Sequence, residues 1–71
     1  MITNNTYTDN LTEFNELSEK VKKLDRYVYE CRHNRVSNIT LEDIHLAEEQ
    51  LAAMNKYLYL LKIRITRMEG V

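Results

Sequence analysis

The side chains with chemistry to offer in this chain are one cysteine, two histidines, five tyrosines and a run of lysines. Cys31 falls in step with apolar residues three and four positions apart, which makes it a small core hydrophobe rather than a reactive thiol. A single cysteine cannot close an internal disulfide, and no Cys/His spacing resembles a zinc site. His33 and His45 form no His-x-x-x-His pair, and the expected folding sets His33 near Glu42 at a helix end. No glycine-rich loop is present to cradle phosphate, and no Ser or Cys sits in a nucleophile motif. The expectation is a protein that is not an enzyme and carries neither metal nor cofactor.

The tyrosines and bases are the more informative set. Tyr27-Val28-Tyr29 and Tyr57-Leu58-Tyr59 each bracket an apolar residue with two phenols. One reading is that these phenols cover the flanks of a core and keep their hydroxyls in water. The other is a stacking platform for a nucleobase, with Lys20, Lys23 and Arg26 near Tyr27, and Lys56 beside Tyr57, reaching phosphates. Lys20, Lys22, Lys23 and Arg26 are the densest basic cluster, read either as a solvated face or as the phosphate contact of a small RNA or nucleotide binder.

The elements that must position these residues are helices. The sequence has no proline and only one glycine, at position 70, so nothing in its body breaks a helix. Residues 1–9 are Thr/Asn-rich without a period, and are expected to form a flexible N-terminal arm docking through Ile2 or Tyr7. From Asn10 onward Phe14, Leu17, Val21, Leu24, Val28 and Cys31 recur at alternating steps of three and four, an apolar seam that predicts a first helix over about 9–34. A polar loop over 35–39 follows.

Thr40, with Asp43 three residues on, signals the start of a second helix over about 40–69, clamped by Ile39 and Ile44. Its seam is Ile44, Ala47, Leu51, Met54, Leu58, Leu61, Ile65 and Met68. A short loop joins antiparallel neighbours, and the two seams match layer by layer when Phe14 is set against Leu61 and Cys31 against Ile44. That register also sets Glu13 and Glu16 near Arg64 and Lys62, and Arg32 and Arg35 near Glu42 and Asp43. The fold class is therefore all-α, an antiparallel two-helix hairpin.

One hairpin does not use all the apolar surface. The second helix carries another stripe at Leu46, Gln50, Ala53, Tyr57, Leu60 and Arg64, and the stretch YLYLLKIRI over 57–65 is apolar on every side. A chain this short buries only about 60% of the surface its unfolded form exposes, and it has no disulfide or metal to compensate. The expected remedy is a homodimer forming a four-helix bundle, with Leu46, Ala53, Tyr57, Leu60 and Arg64 at the oligomer interface. Tyr59 and Ile63 remain for a further protein partner.

Charge excludes some partners. The formal net charge is -1, so no global field draws the chain to nucleic acid or an anionic membrane. The apolar run is too short to span a bilayer and the N-terminus lacks a signal peptide, so the expected setting is cytoplasmic, with no membrane partner. In pattern the hairpin resembles the plasmid copy-number protein Rop, a helical hairpin that dimerises into a four-helix bundle and binds paired RNA loops. In the passage EEQLAAMNKYL it resembles the small helical-hairpin phage proteins that sequester cyclic oligonucleotide immune signals. The aromatic or glycine beside the methionine and the proline after the helix, which mark that second family, are missing, and no site residue is carried over from either.

Two functional expectations follow. The first is a small non-catalytic interaction protein that oligomerises and binds or inhibits a macromolecular partner. The alternative is binding or sequestration of a nucleotide, cyclic oligonucleotide or RNA through Lys20, Lys23, Arg26, Tyr27, Lys56 and Tyr57.

Overall fold

The computed structural model describes the backbone of residues 2–70 and the side chains of residues 6–70. Two α-helices, α1 (Ile2–Arg32) and α2 (Leu41–Glu69), pack antiparallel as a hairpin measuring 51 × 15 × 14 Å. Among the described residues there is no strand. The residues expected at the seam are the ones withdrawn from solvent: Val28, Cys31, Ile44, Ala47, Leu61 and Ile65 are buried, and the remaining seam positions are half-buried. Leu61, at 1% exposure, is the most deeply buried large side chain.

α1 departs from the sequence expectation at its start. The stretch expected as an arm over 1–9 is helical from Ile2, and the helix ends at Arg32 rather than at 34. The physical reason is that the seam continues toward the N-terminus through polar residues. Tyr7 and Asn10 occupy the next positions at steps of three and four. The Tyr7 hydroxyl donates to Glu69 Oε2 at 2.5 Å, while the buried Asn10 donates through Nδ2 to Met68 Sδ at 3.6 Å. Tyr7 thus docks as expected, from a helix. The docking expected of the Ile2 side chain lies outside the described side chains.

The connection turns without glycine. Asn34 and Asn38 carry φ of 57° and 61°, the left-handed region that asparagine tolerates better than most residues. α2 starts where the sequence sets it. Thr40 Oγ1 accepts from the Asp43 backbone N–H, and the Asp43 carboxylate accepts from the Thr40 N–H, both at 3.1 Å. This capping box satisfies donors that the first turn leaves without helical partners. Thr40→Ala is expected to cost about 1 kcal/mol, read as a lower thermal midpoint by circular dichroism. An unchanged midpoint would show the cap to be idle.

The ion pairs differ in detail from the expected register. Arg32 grips Glu48 through two hydrogen bonds, Nε to Oε2 at 2.8 Å and Nη2 to Oε1 at 2.7 Å, instead of reaching Glu42 or Asp43. Asp43 is already engaged in the cap, and a carboxylate one turn further into α2 meets the fork of the guanidinium bidentately. Arg35 turns back to Glu30 at 3.7 Å. His33 does not pair with Glu42: its Nδ1 lies 2.8 Å from the Tyr29 carbonyl oxygen and its ring 4.0 Å from the Tyr29 ring.

Candidate functional site

Seam residues facing inward leave two edges on the hairpin. One edge is closed by Arg32 and Glu48. The other carries Glu13, Lys20 and Tyr27 from α1 and Asp43, Gln50, Tyr57 and Arg64 from α2, each three or four positions from a seam residue. Contacts across this second edge confirm the placement, because the Tyr57 hydroxyl donates to Glu13 Oε2 and Tyr27 lies within electrostatic range of Asp43.

Along that edge Lys20, Lys23, Leu24, Tyr27, Gln50 and Met54 line one open groove. The structure therefore brings together three of the residues singled out for nucleotide binding: Lys20, Lys23 and Tyr27. The Tyr27 phenol is held above its ordinary range first by a hydrogen bond with Cys31, then by desolvation, with Asp43 adding to the effect. The Tyr27 side chain stays 39% exposed beside the two lysines. Lys20 and Lys23 form no ion pair among the described residues, whereas neighbouring Lys22 pairs with Glu19 at 3.6 Å. Two ammonium groups, a part-exposed aromatic ring and the Gln50 amide are what phosphate contact, base stacking and base-edge hydrogen bonding require.

The other residues of that expected site lie elsewhere. Arg26 lines a separate recess with Lys22, Tyr29 and His33. Lys56 is exposed on α2 and lines none of the described grooves. Tyr57 stands further along the edge, fastened to Glu13. Tyr29 is engaged by His33 and by the Arg35 guanidinium, 5.7 Å from its ring centre, so the Tyr27–Tyr29 pair is not a double platform. Gln50 and Met54 as groove walls were missed by sequence reasoning; the match of the two seams, which sets Lys20 and Lys23 level with this turn of α2, was the signal that could have found them.

The residues expected to meet other proteins are all on the surface of the hairpin. Leu46 is 59% exposed, Leu60 49% and Tyr57 41%, with Ala53 and Arg64 also open to solvent. Tyr59 and Ile63 share a groove with Lys62 and Arg67, and Ile63 also joins Leu60, Arg64 and Met68 in an adjoining one. Arg67 belongs to both and was not singled out from the sequence. It follows Arg64 at the same step of three that built the second stripe.

The described residues contain no group of three or more His, Cys, Asp or Glu side chains able to hold a metal ion. Among them no helix is long and apolar enough to cross a membrane. A protein-family model described as Sequestin matches residues 11–67, more than half of the chain. The chain belongs to the Sequestin family. Lys20, Lys23, Tyr27, Gln50 and Met54 all fall within the Sequestin match, as do Leu46, Ala53, Leu60 and the groove residues near Ile63 except Met68. No curated protein and no solved structure matches the chain. The Sequestin name denotes a sequestering, hence binding, protein.

The tyrosine edge contacts set a pH dependence. The bond to Glu13 holds the Tyr57 hydroxyl above its ordinary range, with desolvation next, and the bond to Glu69 does the same for Tyr7. A phenol whose folded pKa is raised adds stability that is fully present below its unfolded value near 10 and is lost as pH rises through the folded value. Tyr57→Phe, which cannot donate that bond, is expected to show a smaller fall in thermal midpoint between neutral and strongly alkaline pH than the parent. Equal slopes would mean that the Glu13 contact does not persist in solution.

Proposed function

We propose that this Sequestin-family chain is a non-catalytic binder that sequesters an anionic nucleotide ligand and works as a homo-oligomer. Tyr27 stacks on a base, Lys20 and Lys23 meet phosphates, and Gln50 hydrogen-bonds at the base edge. The observation that carries this reading is the convergence of Lys20, Lys23, Tyr27 and Gln50 on one groove, with neither ammonium group in an ion pair among the described residues. Membership in a family named for sequestration supports a binding role, and helices without a nucleophile motif suit holding a ligand better than transforming it.

A second reading keeps its own observation. Tyr59, at 63% exposure, and Ile63 form an apolar surface with Lys62 and Arg67 that the hairpin does not use, and this surface suits a protein partner with an acidic, apolar docking segment.

The test is a thermal-shift panel of nucleoside mono-, di- and triphosphates, linear and cyclic oligonucleotides and short RNA against the whole chain. At least one class is expected to raise the midpoint, with an effect that weakens as salt rises because the contact is made through lysines. A panel in which no member shifts the midpoint would remove the nucleotide reading and leave the Tyr59 and Ile63 surface as the binding face.

A further inference from the structure

The exposed second stripe of α2 reads almost the same from either end. Starting at Ala53 and moving outward in both directions meets Gln50 and Tyr57, then Leu46 and Leu60, then Asp43 and Arg64. Each pair is matched in chemistry, amide with phenol, leucine with leucine, carboxylate with guanidinium. In the hairpin Leu46 and Leu60 are about half or more exposed, and Arg64 has no ion pair among the described residues. Asp43 accepts its cap bond through Oδ2 and is exposed.

A stripe with this symmetry is complementary to itself run backwards, which is what an isologous twofold interface demands. We propose that the stripe is the docking site of a second copy of this chain, the two α2 helices crossing antiparallel with Ala53 on the twofold axis. Leu46 of each copy packs on Leu60 of the other, and Arg64 of each meets Asp43 of the other at the two ends. Alanine at the centre, the smallest side chain of the stripe, lets the helix backbones approach within the usual 8–10 Å or so of packed helices.

The pairing also completes the candidate site, a consequence that rests on the nucleotide reading above. Lys20 and Lys23 face Gln50 and Met54 across the groove, so they stand level with the turn of α2 that contains Ala53. Crossing at Ala53 sets the two grooves at one level beside the axis and gathers two Lys20 and two Lys23 around it. An anion with two or more phosphates is the natural bridge, at one ligand per two chains.

The interface is tested without any nucleotide, so that its failure and that of the ligand reading are distinguishable. Sedimentation of the parent chain at physiological salt is expected to give a dimer. Under mild oxidation Ala53→Cys is expected to link into covalent dimers on the order of tenfold faster than Glu49→Cys on the outer side of α2, because the axis holds the two thiols at high effective concentration. The parent, whose Cys31 is buried, serves as the unlinked control. Ala53→Arg, at a position exposed in the hairpin, is expected to sediment as a monomer. A parent that is a monomer, a trimer or a larger ring overturns the proposal, as does a dimer in which Ala53→Cys links no faster than Glu49→Cys. A dimer with fast linking but an empty nucleotide panel leaves the interface standing and removes the ligand alone.

Discussion

Leu61→Ala should lower the thermal midpoint by on the order of 20 °C. Leu61 is 1% exposed, and truncating a leucine so enclosed removes its transfer energy and leaves a cavity, together about 2–5 kcal/mol. A chain of this size has roughly 4–10 kcal/mol of stability in total, and each kcal/mol moves the midpoint of so small a domain by about 4–8 °C. Leu60→Ala is the matched control. One position along, Leu60 is 49% exposed, so in a dilute sample its truncation should cost about 0.5 kcal/mol or less. At high concentration the Leu60 variant should fall behind the parent, because only an assembled molecule buries that side chain. Equal losses for Leu61→Ala and Leu60→Ala at every concentration would mean that the helices are not packed through the seam described.

The second large effect concerns binding. A nucleotide present at a hundredfold excess over its Kd stabilises the folded chain by about 2.7 kcal/mol, a rise of roughly 10–20 °C in the midpoint. Replacing Lys20 and Lys23 together by alanine removes two charge-assisted contacts of about 1.5–3 kcal/mol each, which weakens binding by a hundredfold or more and nearly erases the shift. Both lysines are exposed and without ion pairs among the described residues, so the stability of the ligand-free protein should hold. Arg26→Ala should keep the full shift, since Arg26 lines a different recess. A double variant stabilised as strongly as the parent would disqualify the groove.

The hairpin and its seam were legible because apolar residues at steps of three and four admit one inward side per helix, and because Thr40 and Asp43 mark the start of α2 by chemistry. The beginning of α1 was not legible, since Tyr7 and Asn10 keep the spacing while breaking the apolar pattern. Their partners, Glu69 and Met68, lie at the far end of the chain, where no local pattern points to them. The ion pairs were misassigned for a related reason. Charge proximity offered Asp43 to Arg32, but a carboxylate already accepting from a backbone N–H competes poorly with a free Glu48 able to take both guanidinium donors. Of the candidate site, residue types near Tyr27 were readable, while the exclusion of Arg26 and Lys56 depends on which side of the helix each occupies.

Asn10 has a consequence for how the two helices find each other. An uninterrupted strip of oil would let α1 slide along α2 by seven residues with little loss, because each heptad resembles the next. A slip of that size carries the Asn10 amide away from the Met68 sulfur and leaves it dry and unanswered, at about 1–3 kcal/mol. A polar group in such a position selects one alignment at some expense of stability. Asn10→Leu should therefore give a protein that melts later yet shows more than one set of amide resonances, its ends no longer meeting at a single setting.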